Sequence, residues 1–263
     1  MGWLANIAGR RLARFLTREV PRSTQIATAT QEQLAVALRP GDVLLVEGNT
    51  RVSVAIKYLT QSTWSHAALY VGDALPKNNA WEVPRVLIEA DLAEGVRAVP
   101  LAHYAHLHTR ICRAVGLSDD DRKRVVEYVV ARLGQQYDLK NVFDLARYLL
   151  PTPPVPTRFR RRMLALGSGD PTRAICSTLI AQAFQSVRYP VLPEVRREWF
   201  DDPACADCYA EIYRTRHHSL FAPRDFDISP YFEIVKPTIE NGFDYRTLAW
   251  DDAGAGSAER ASA

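Results

Sequence analysis

Short apolar runs separated by turn-forming residues fill the first half of the chain. The first run, residues 43–46, follows the turn Arg39-Pro40-Gly41-Asp42 and is apolar throughout, which is typical of a buried strand. Runs of β-branched and aliphatic residues follow at 66–71, 86–90, 96–101 and 109–115. Short strands joined by loop signals predict an antiparallel sheet, and residues 52–60 are expected to form a short helix.

In the second half of the chain, apolar residues recur at the spacing of a helix. Ser118 precedes three aspartates and caps a predicted helix, whose apolar stripe runs from Val125 to Leu133 and stops at Gly134. The remaining predicted elements are helices over 138–150 and 176–185, a Pro- and Arg-rich loop over 151–172 with a short helix near 159–166, and strands near 217–221 and 231–235 in an otherwise irregular C-terminal third.

These elements predict one α+β domain over residues 39–235, in which an antiparallel sheet packs against helices and the basic segment 151–172 is an insertion. Residues 1–38 form an N-terminal segment and linker. Residues 236–263 form a C-terminal tail that is expected to be partly disordered, because its end is small and polar.

Composition narrows the class of protein. The 263 residues are 47% hydrophobic and 24% charged, as in soluble globular proteins. A net charge of +3, without basic-aromatic interleaving or a helix-turn-helix pattern, disfavours nucleic-acid binding. Four cysteines are too few for a disulfide framework, and no apolar run reaches the roughly 20 residues that span a bilayer. A cytoplasmic protein without a cleaved leader is expected.

Residues 3–20 place apolar side chains from Trp3 to Val20 along one helical stripe, which arginines flank. Two interpretations remain open. The helix could lie on an anionic membrane surface, which would put the protein peripherally on the inner face of the membrane. The simpler interpretation, which we slightly prefer, is an amphipathic helix that docks on the protein's own core.

Cys176 and His66 are the candidate reactive pair. Cys176 begins a predicted helix and shares its apolar face with Leu179, Ile180, Ala183 and Phe184, a position that suits both a nucleophile and a core residue. If the helix starts near Ile175, as we prefer, the thiol lies in its first turn. A start at the capping pair Asp170-Pro171 would place it in the second turn, where the helix dipole contributes little.

His66 begins a predicted strand and shares a face with Ala68 and Tyr70. The turn-rich loop 72–85 predicts a hairpin with the strand that follows, and the midpoint between residues 66 and 89 falls inside this loop. Glu89 is therefore expected opposite His66 or one diagonal away, where it could orient the ring. An acid among apolar neighbours is costly unless it has a partner. Asp91, on the same face, is the alternative acid.

Five segments together resemble the circularly permuted NlpC/P60 enzymes, and within them the YiiX/YaeF-like group of papain-like amidases and "lipo-like" proteins. They are Gly41-Asp42, Ser65-His66-Ala67-Ala68-Leu69-Tyr70, Ile88-Glu89-Ala90, Gly134-Gln135-Gln136-Tyr137-Asp138 and Cys176-Ser177. The resemblance runs from about residue 39 to 187. Thr178 departs from it, since relatives often carry Glu there, and the basic insertion and the C-terminal third fall outside it.

The resemblance implies a papain-like fold with Cys176 as nucleophile, His66 as general base, Glu89 as the ring-orienting residue and the Cys176 backbone N–H as an oxyanion donor. Tyr137 stands at the Gly-x-x-Tyr position and is expected to line the substrate site. Ser177 and Tyr70 are further expected substrate-binding residues.

The expected function is hydrolysis of an amide, in a peptide or acyl-amide, through an acyl-enzyme and without a cofactor. A lipid-directed acyltransferase or thioesterase on the same three residues, and a catalytically silent peptide- or lipid-binding module, are the alternatives. The expected partner is a small-molecule, peptide or lipid-linked acyl substrate.

Cys205 and Cys208, with His217 and His218, offer two thiolates and two imidazoles that would suit tetrahedral zinc. The histidines are adjacent and the cysteines lie in a loop-like context. Incidental loop cysteines are therefore the preferred interpretation, and no metal is expected.

Overall fold

The computed structural model describes the chain at residues 15, 18–19, 27–76, 81–92, 94–136, 175–199 and 209–249. Its strands are β1 (Val43–Val46), β2 (His66–Tyr70), β3 (Arg85–Asp91), β4 (Gly95–Pro100), β5 (Thr109–Ala114), β6 (Glu194–Trp199), β7 (Tyr209–Arg214) and β8 (Phe232–Val235). Six of them form an antiparallel sheet in the order β4-β3-β2-β1-β5-β8, and β6 pairs with β7 separately. The predicted α+β class and antiparallel sheet are confirmed.

The helices are α1 (Gln31–Ala37), α2 (Arg51–Thr60), α3 (Asp119–Val130), α4 (Ile175–Ser186), α5 (Arg224–Asp227) and α6 (Pro237–Glu240). Local capping explains where three of them begin. The side chains of Thr30, Thr50 and Ser118 each accept a hydrogen bond from a backbone N–H in the first turn of α1, α2 and α3. The Ser118 cap predicted from the sequence is confirmed.

The sheet is covered on both faces. Alternate residues of β1 enter two separate clusters, and all four are fully buried. One cluster joins Val43 and Leu45 to apolar side chains of α3 and α4, such as Val125 and Ile180. The other joins Leu44 and Val46 to α1 and to the segment 101–107. Apolar side chains thus pack against both faces of the sheet.

The C-terminal third differs from its prediction in two places. The strand predicted near 217–221 is wrong: His218–Leu220 is a 3-10 turn, which forms because the His217 ring accepts a hydrogen bond from the Ser219 backbone N–H. The β6–β7 hairpin was not predicted, because neither strand alternates between apolar and polar residues and nearly every residue of both is exposed. The strand predicted near 231–235 is confirmed.

Several predictions fall on parts of the chain outside the described residues. They concern nearly all of the amphipathic segment 3–20, the helices at 138–150 and 159–166, the insertion 151–172, Tyr137, and the pair Cys205 and Cys208. Among the described residues, no helix is long and apolar enough to cross a membrane.

Candidate active site

A cavity of about 440 Å³ lies at the end of the sheet where β2 begins. Its wall combines the loop after β1, helix α2, strands β3 and β4, the segment 103–107 and the first described turn of α4. His66, Glu89 and Cys176 all line it. The structure therefore brings together three residues that lie up to 110 positions apart in the sequence.

The loop after β1 is held close to the start of β2. Val46 pairs with His66, and the Gly48 backbone N–H donates to the Ser65 hydroxyl at 2.9 Å. A side chain at position 48 would collide with Ser53 and Ser65, since an added Cβ would lie 2.3 Å from the Ser53 oxygen. Glycine at this position lets the loop approach, and the approach fixes the backbone from which His66 projects.

His66 contacts Glu89 directly, with 2.6 Å between Nε2 and Oε2. Strand β2 pairs with β3 through Leu69 and Ile88, and this register continued places Asp91 opposite His66 and Glu89 one diagonal away. The diagonal arrangement is one of the two that the hairpin argument predicts. Asp91, the alternative acid, also lines the cavity, but it lies 3.7 Å from the Arg97 guanidinium.

Cys176 is 4% exposed, and its thiol lies close enough to the His66 ring to raise the pKa of the imidazole. Since Nε2 is engaged by Glu89, Nδ1 is the ring nitrogen left for the sulfur. Leu179 and Ile180 of the same helix are buried in the core, so the packing of α4 fixes the direction of the thiol. The alternative helix start at Asp170-Pro171 lies outside the described residues.

The environment favours the charged form of His66. Burial alone would lower the pKa of the imidazole, but attraction to the Cys176 sulfur and to the Glu89 carboxylate, with a hydrogen bond to each, raises that pKa well above its ordinary value. A proton is therefore held on the ring between two acidic partners. A protonated imidazole beside a cysteine is the kind of environment in which reactive thiols are found in proteins.

Glu89 is only 1% exposed, yet it is ionised. Burial alone would raise its pKa, but His66 and Arg97 lower the pKa of this carboxyl to about 2. The Arg97 Nε donates to Oε1 at 2.7 Å, and the Tyr104 hydroxyl donates to Oε2, the oxygen that His66 also contacts. Three donors thus satisfy the acid whose burial seemed costly from sequence.

Arg97 and Tyr104 were not predicted as site residues. Arg97 had a signal in the sequence: it pairs with Glu89 directly across β3 and β4, a hairpin whose turn ends at Gly95. Tyr104 had none, because it follows a 3-10 turn at Leu101–His103, and only the tertiary fold brings that turn beneath Glu89.

The structure does not bring Ser177 or Tyr70, the two other expected substrate-binding residues that it describes, to the cavity. The Ser177 hydroxyl is fully buried and donates to the Phe221 carbonyl at 2.8 Å, which ties α4 to the C-terminal segment. Tyr70 lies at the far end of β2 and packs on the face covered by α1. Burial raises its pKa, with Asp73 and Asp42 adding to the effect. Tyr137 lies outside the described residues.

Within the described ranges, no group of three or more histidine, cysteine, aspartate or glutamate side chains is placed to hold a metal ion. The His217 and His218 rings lie 4.1 Å apart between centroids. The two cysteines that would complete the zinc interpretation lie outside those ranges, so that interpretation is untested.

Part of the N-terminal segment borders the cavity. Glu19 lines it and forms a β-bridge with Thr50, and the Arg51 backbone N–H donates to the Arg18 carbonyl at 3.2 Å. The Arg51 guanidinium lies 4.2 Å from the centre of the Phe15 ring. The described residues of this segment therefore lie next to the candidate site.

Comparison with known proteins agrees with this picture. Residues 37–148 match the permuted papain-like amidase enzymes, YaeF/YiiX, C92 family. The resemblance to the YiiX/YaeF-like amidases is confirmed. The match supports an enzyme of the cysteine amidase or peptidase type; it includes His66 and Glu89, while Cys176 lies beyond its end. The wider relation to NlpC/P60 and lipo-like proteins stays a prediction.

Among solved structures, the chain is similar to one titled metalloprotein yiiX from Escherichia coli O157:H7. The two share 18% identity with a TM-score of 0.43, over 76% of this chain and 97% of that one. No curated protein matches the chain.

Proposed function

We propose that the protein hydrolyses an amide bond, in a peptide or an acyl-amide, with Cys176 as nucleophile, His66 as general base and Glu89 as the residue that orients the ring. The observation that carries the proposal is the position of His66, whose ring hydrogen-bonds Glu89 and shares the wall of one cavity with Cys176, which raises the pKa of the ring. The permuted papain-like amidase match supports the same chemistry.

In the proposed reaction, the Cys176 sulfur forms a bond to the substrate carbonyl carbon while the thiol proton resides on His66. The tetrahedral oxyanion is stabilised by backbone N–H donors, including that of Cys176. His66 then gives its proton to the leaving amine as the C–N bond breaks, which leaves a thioester. Water loses a proton to His66, attacks the thioester and releases the acid, and the thiol is restored.

A second candidate is an acyltransferase or thioesterase that uses the same three residues and a lipid acyl group. The observation that favours it is the apolar part of the cavity wall, where Val46, Val52, Ile56 and Leu107 lie on the side formed by β1, α2 and the segment 103–107. The acceptor that releases the thioester distinguishes the two candidates, since a hydrolase uses water and a transferase uses an amine or hydroxyl.

Membrane association is a separate proposal. We propose that residues 3–20 contact anionic phospholipid, which would bring a lipid-linked substrate to the cavity that Glu19 borders. Flotation of the protein with phosphatidylglycerol vesicles tests this, and deletion of residues 1–20 should abolish the binding. Equal flotation of the full and shortened chains would exclude the role of the segment.

The catalytic proposal is tested by the rate at which iodoacetamide alkylates Cys176, followed by peptide mass mapping across a pH series. The parent protein should react fast below pH 7, and the His66→Ala variant should react like an ordinary thiol, whose pKa is about 8.5. A slow parent rate that is unchanged by His66→Ala would leave Cys176 as a core residue and favour the silent binding module.

Substrate class is then tested with acyl amides, peptides and acyl esters, in water and in the presence of hydroxylamine. Mass spectrometry should detect an acyl adduct on Cys176 for a slow substrate. Release as free acid identifies a hydrolase, whereas release that requires the added acceptor identifies a transferase.

A further inference from the structure

Behind Glu89 lies a layer of polar groups that the proposed reaction does not use. We propose that Arg97 and Tyr104 are positioning residues, which hold Glu89 as an ionised carboxylate against His66 and thereby set the acidic limit of the pH range in which Cys176 is a nucleophile. The inference rests on the proposed roles of Cys176 and His66, and it adds two residues that act on the pair through their hydrogen bonds to Glu89.

Hydrogen bonds hold both oxygens of the Glu89 carboxylate in place. Oε2 receives hydrogen bonds from His66 and from the Tyr104 hydroxyl, while Oε1 receives one from Arg97 at 2.7 Å. The carboxyl group therefore cannot rotate without breaking a hydrogen bond on either oxygen. Because the His66 ring follows the oxygen that it contacts, the fixed carboxylate also fixes the direction of the other ring nitrogen.

The groups next to Glu89 also keep its carboxylate ionised. An isolated carboxylate as buried as Glu89 would take up a proton rather than remain charged. Arg97 supplies a permanent positive charge in contact with it. Burial alone would lower the pKa of Arg97, but Glu89 and Asp91 raise it, so the guanidinium is charged at every working pH. The Tyr104 hydroxyl adds a donor that favours the ionised carboxylate.

Arg97 is itself held in place. Its Nη1 lies 3.1 Å from the Glu94 carboxylate and its Nη2 lies 3.7 Å from Asp91, both on the β3–β4 hairpin. From the thiol outward, acidic and basic groups alternate: Cys176, His66, Glu89, Arg97, and then the pair Asp91 and Glu94. Such alternation stabilises the charge at each position, and removal of one member weakens its neighbours.

The groups that face Glu89 come from every element packed around it. They are His66 on β2, Asp91 on β3, Arg97 on β4, His103 and Tyr104 at the following 3-10 turn with His106 beyond it, and Cys176 on α4. Burial lowers the pKa of His103, and the attraction of Glu89 only partly offsets this. His103 is therefore uncharged at neutral pH, and Arg97 is the permanent cation beside the carboxylate.

These contacts determine the direction in which the pH dependence of Cys176 reactivity should move in a variant. In the parent protein Glu89 keeps its charge down to a pH of about 2. Without Arg97, or without the Tyr104 hydroxyl, burial acts with less opposition and the carboxyl takes up a proton at higher pH. A neutral Glu89 no longer attracts the imidazolium, so the thiolate loses its partner. The alkylation rate of Cys176 falls on the acidic side of its pH profile, and this fall is the acidic limb. The acidic limb should then move to higher pH.

The test is the pH dependence of iodoacetamide alkylation at Cys176 in the parent and in Arg97→Gln, Arg97→Lys and Tyr104→Phe. Loss of a neighbouring opposite charge typically moves a carboxyl pKa by about 1–3 units. We expect the acidic limb to rise by at least about one pH unit in Arg97→Gln, by less in Tyr104→Phe, and to return toward the parent in Arg97→Lys.

Arg85→Gln is the matched control. This arginine lies at the other end of β3 and donates to the Ala98 carbonyl instead of to Glu89. The acidic limb of Cys176 alkylation in Arg85→Gln should coincide with that of the parent. Near-ultraviolet circular dichroism at each pH shows whether each variant is folded, and Tyr104→Phe carries the test if Arg97→Gln does not fold.

Failure of the proposed function and failure of the inference about Arg97 and Tyr104 give different results. A parent rate that does not depend on His66 would overturn the proposed function. A parent rate that does depend on His66, with acidic limbs unmoved in Arg97→Gln and Tyr104→Phe, would overturn only this inference. A uniform loss of rate across all pH values in these variants would assign Arg97 and Tyr104 a purely structural role.

Discussion

Cys112 and Cys176 are both buried cysteines, with 0% and 4% of their surface exposed, but their surroundings differ in kind. Cys112 lies in the middle of β5, paired with Val43 on one side and Ile234 on the other. Burial raises the pKa of its thiol strongly, and the negative charge of Asp227 adds to this. Cys176 instead lies beside the His66 imidazole, whose pKa it helps to raise.

The comparison shows that burial does not by itself decide how a thiol behaves. In an apolar setting burial disfavours the thiolate, whereas an adjacent imidazolium stabilises it. Among the described residues, the fold provides the second setting at the end of the sheet where β2 begins, because Glu89 there raises the pKa of the His66 imidazole.

The largest expected effect separates the two cysteines by turnover. Cys176→Ala should abolish hydrolysis, because no nucleophile remains. Cys112→Ala should retain the parent rate and lower the free energy of unfolding by about 1 kcal/mol, since it leaves a small cavity in the core. Turnover of a cleavable acyl amide and urea denaturation of both variants check this. Comparable activity losses in the two variants would contradict the assignment.

Unfolding should abolish the difference between the thiols. In the native protein at pH 6, Cys176 should be alkylated at least about 100-fold faster than Cys112. In 8 M urea, where both are solvated with an ordinary pKa of about 8.5, the two rates should agree within a small factor. Peptide mass mapping measures both rates in one sample. A native difference that persists in urea would mean that local sequence causes it.

A smaller effect is expected from Glu89→Gln, which keeps the size of the side chain and removes its charge. The pKa of His66 should fall, so the alkaline limit of turnover, above which His66 has no proton for the leaving amine, should move down by about one pH unit or more. Turnover of a cleavable acyl amide between pH 6 and 10 measures the limit. Asp91→Asn is the control on the same strand, and an equal shift in both would weaken the assignment to Glu89.

The smallest effect concerns stability against acid. The folded-state pKa of Glu89 is about 2 and lies below its ordinary value of about 4.3. Its charge therefore contributes stability that is fully present above about pH 4.3 and is lost as the pH falls toward 2. Urea midpoints at pH 5 and pH 3 should differ less in Glu89→Gln than in the parent. An unchanged pH dependence would show that other carboxyls account for it.

Local patterns predicted much of the fold. Five strands between residues 43 and 115, the capped helix after Ser118 and the apolar face of α4 follow from alternation, capping and helical spacing, which act over a few residues. The pattern was least informative in the C-terminal third, where the β6–β7 hairpin is exposed on both strands and lacks the buried face on which strand prediction depends.

For the candidate site, the sequence by itself determined which residue types were available, and hairpin geometry determined that His66 and Glu89 would be neighbours. The contact between Cys176 and His66 was decided only by the tertiary structure, because it depends on how α4 packs against the sheet across 110 positions. The position of Tyr104 was also decided only by the tertiary structure, because no local rule connects the turn after β4 to a carboxylate on β3. A periodic pattern specifies a face within one element, whereas the meeting of side chains from different elements is fixed only when their apolar faces pack into a common core.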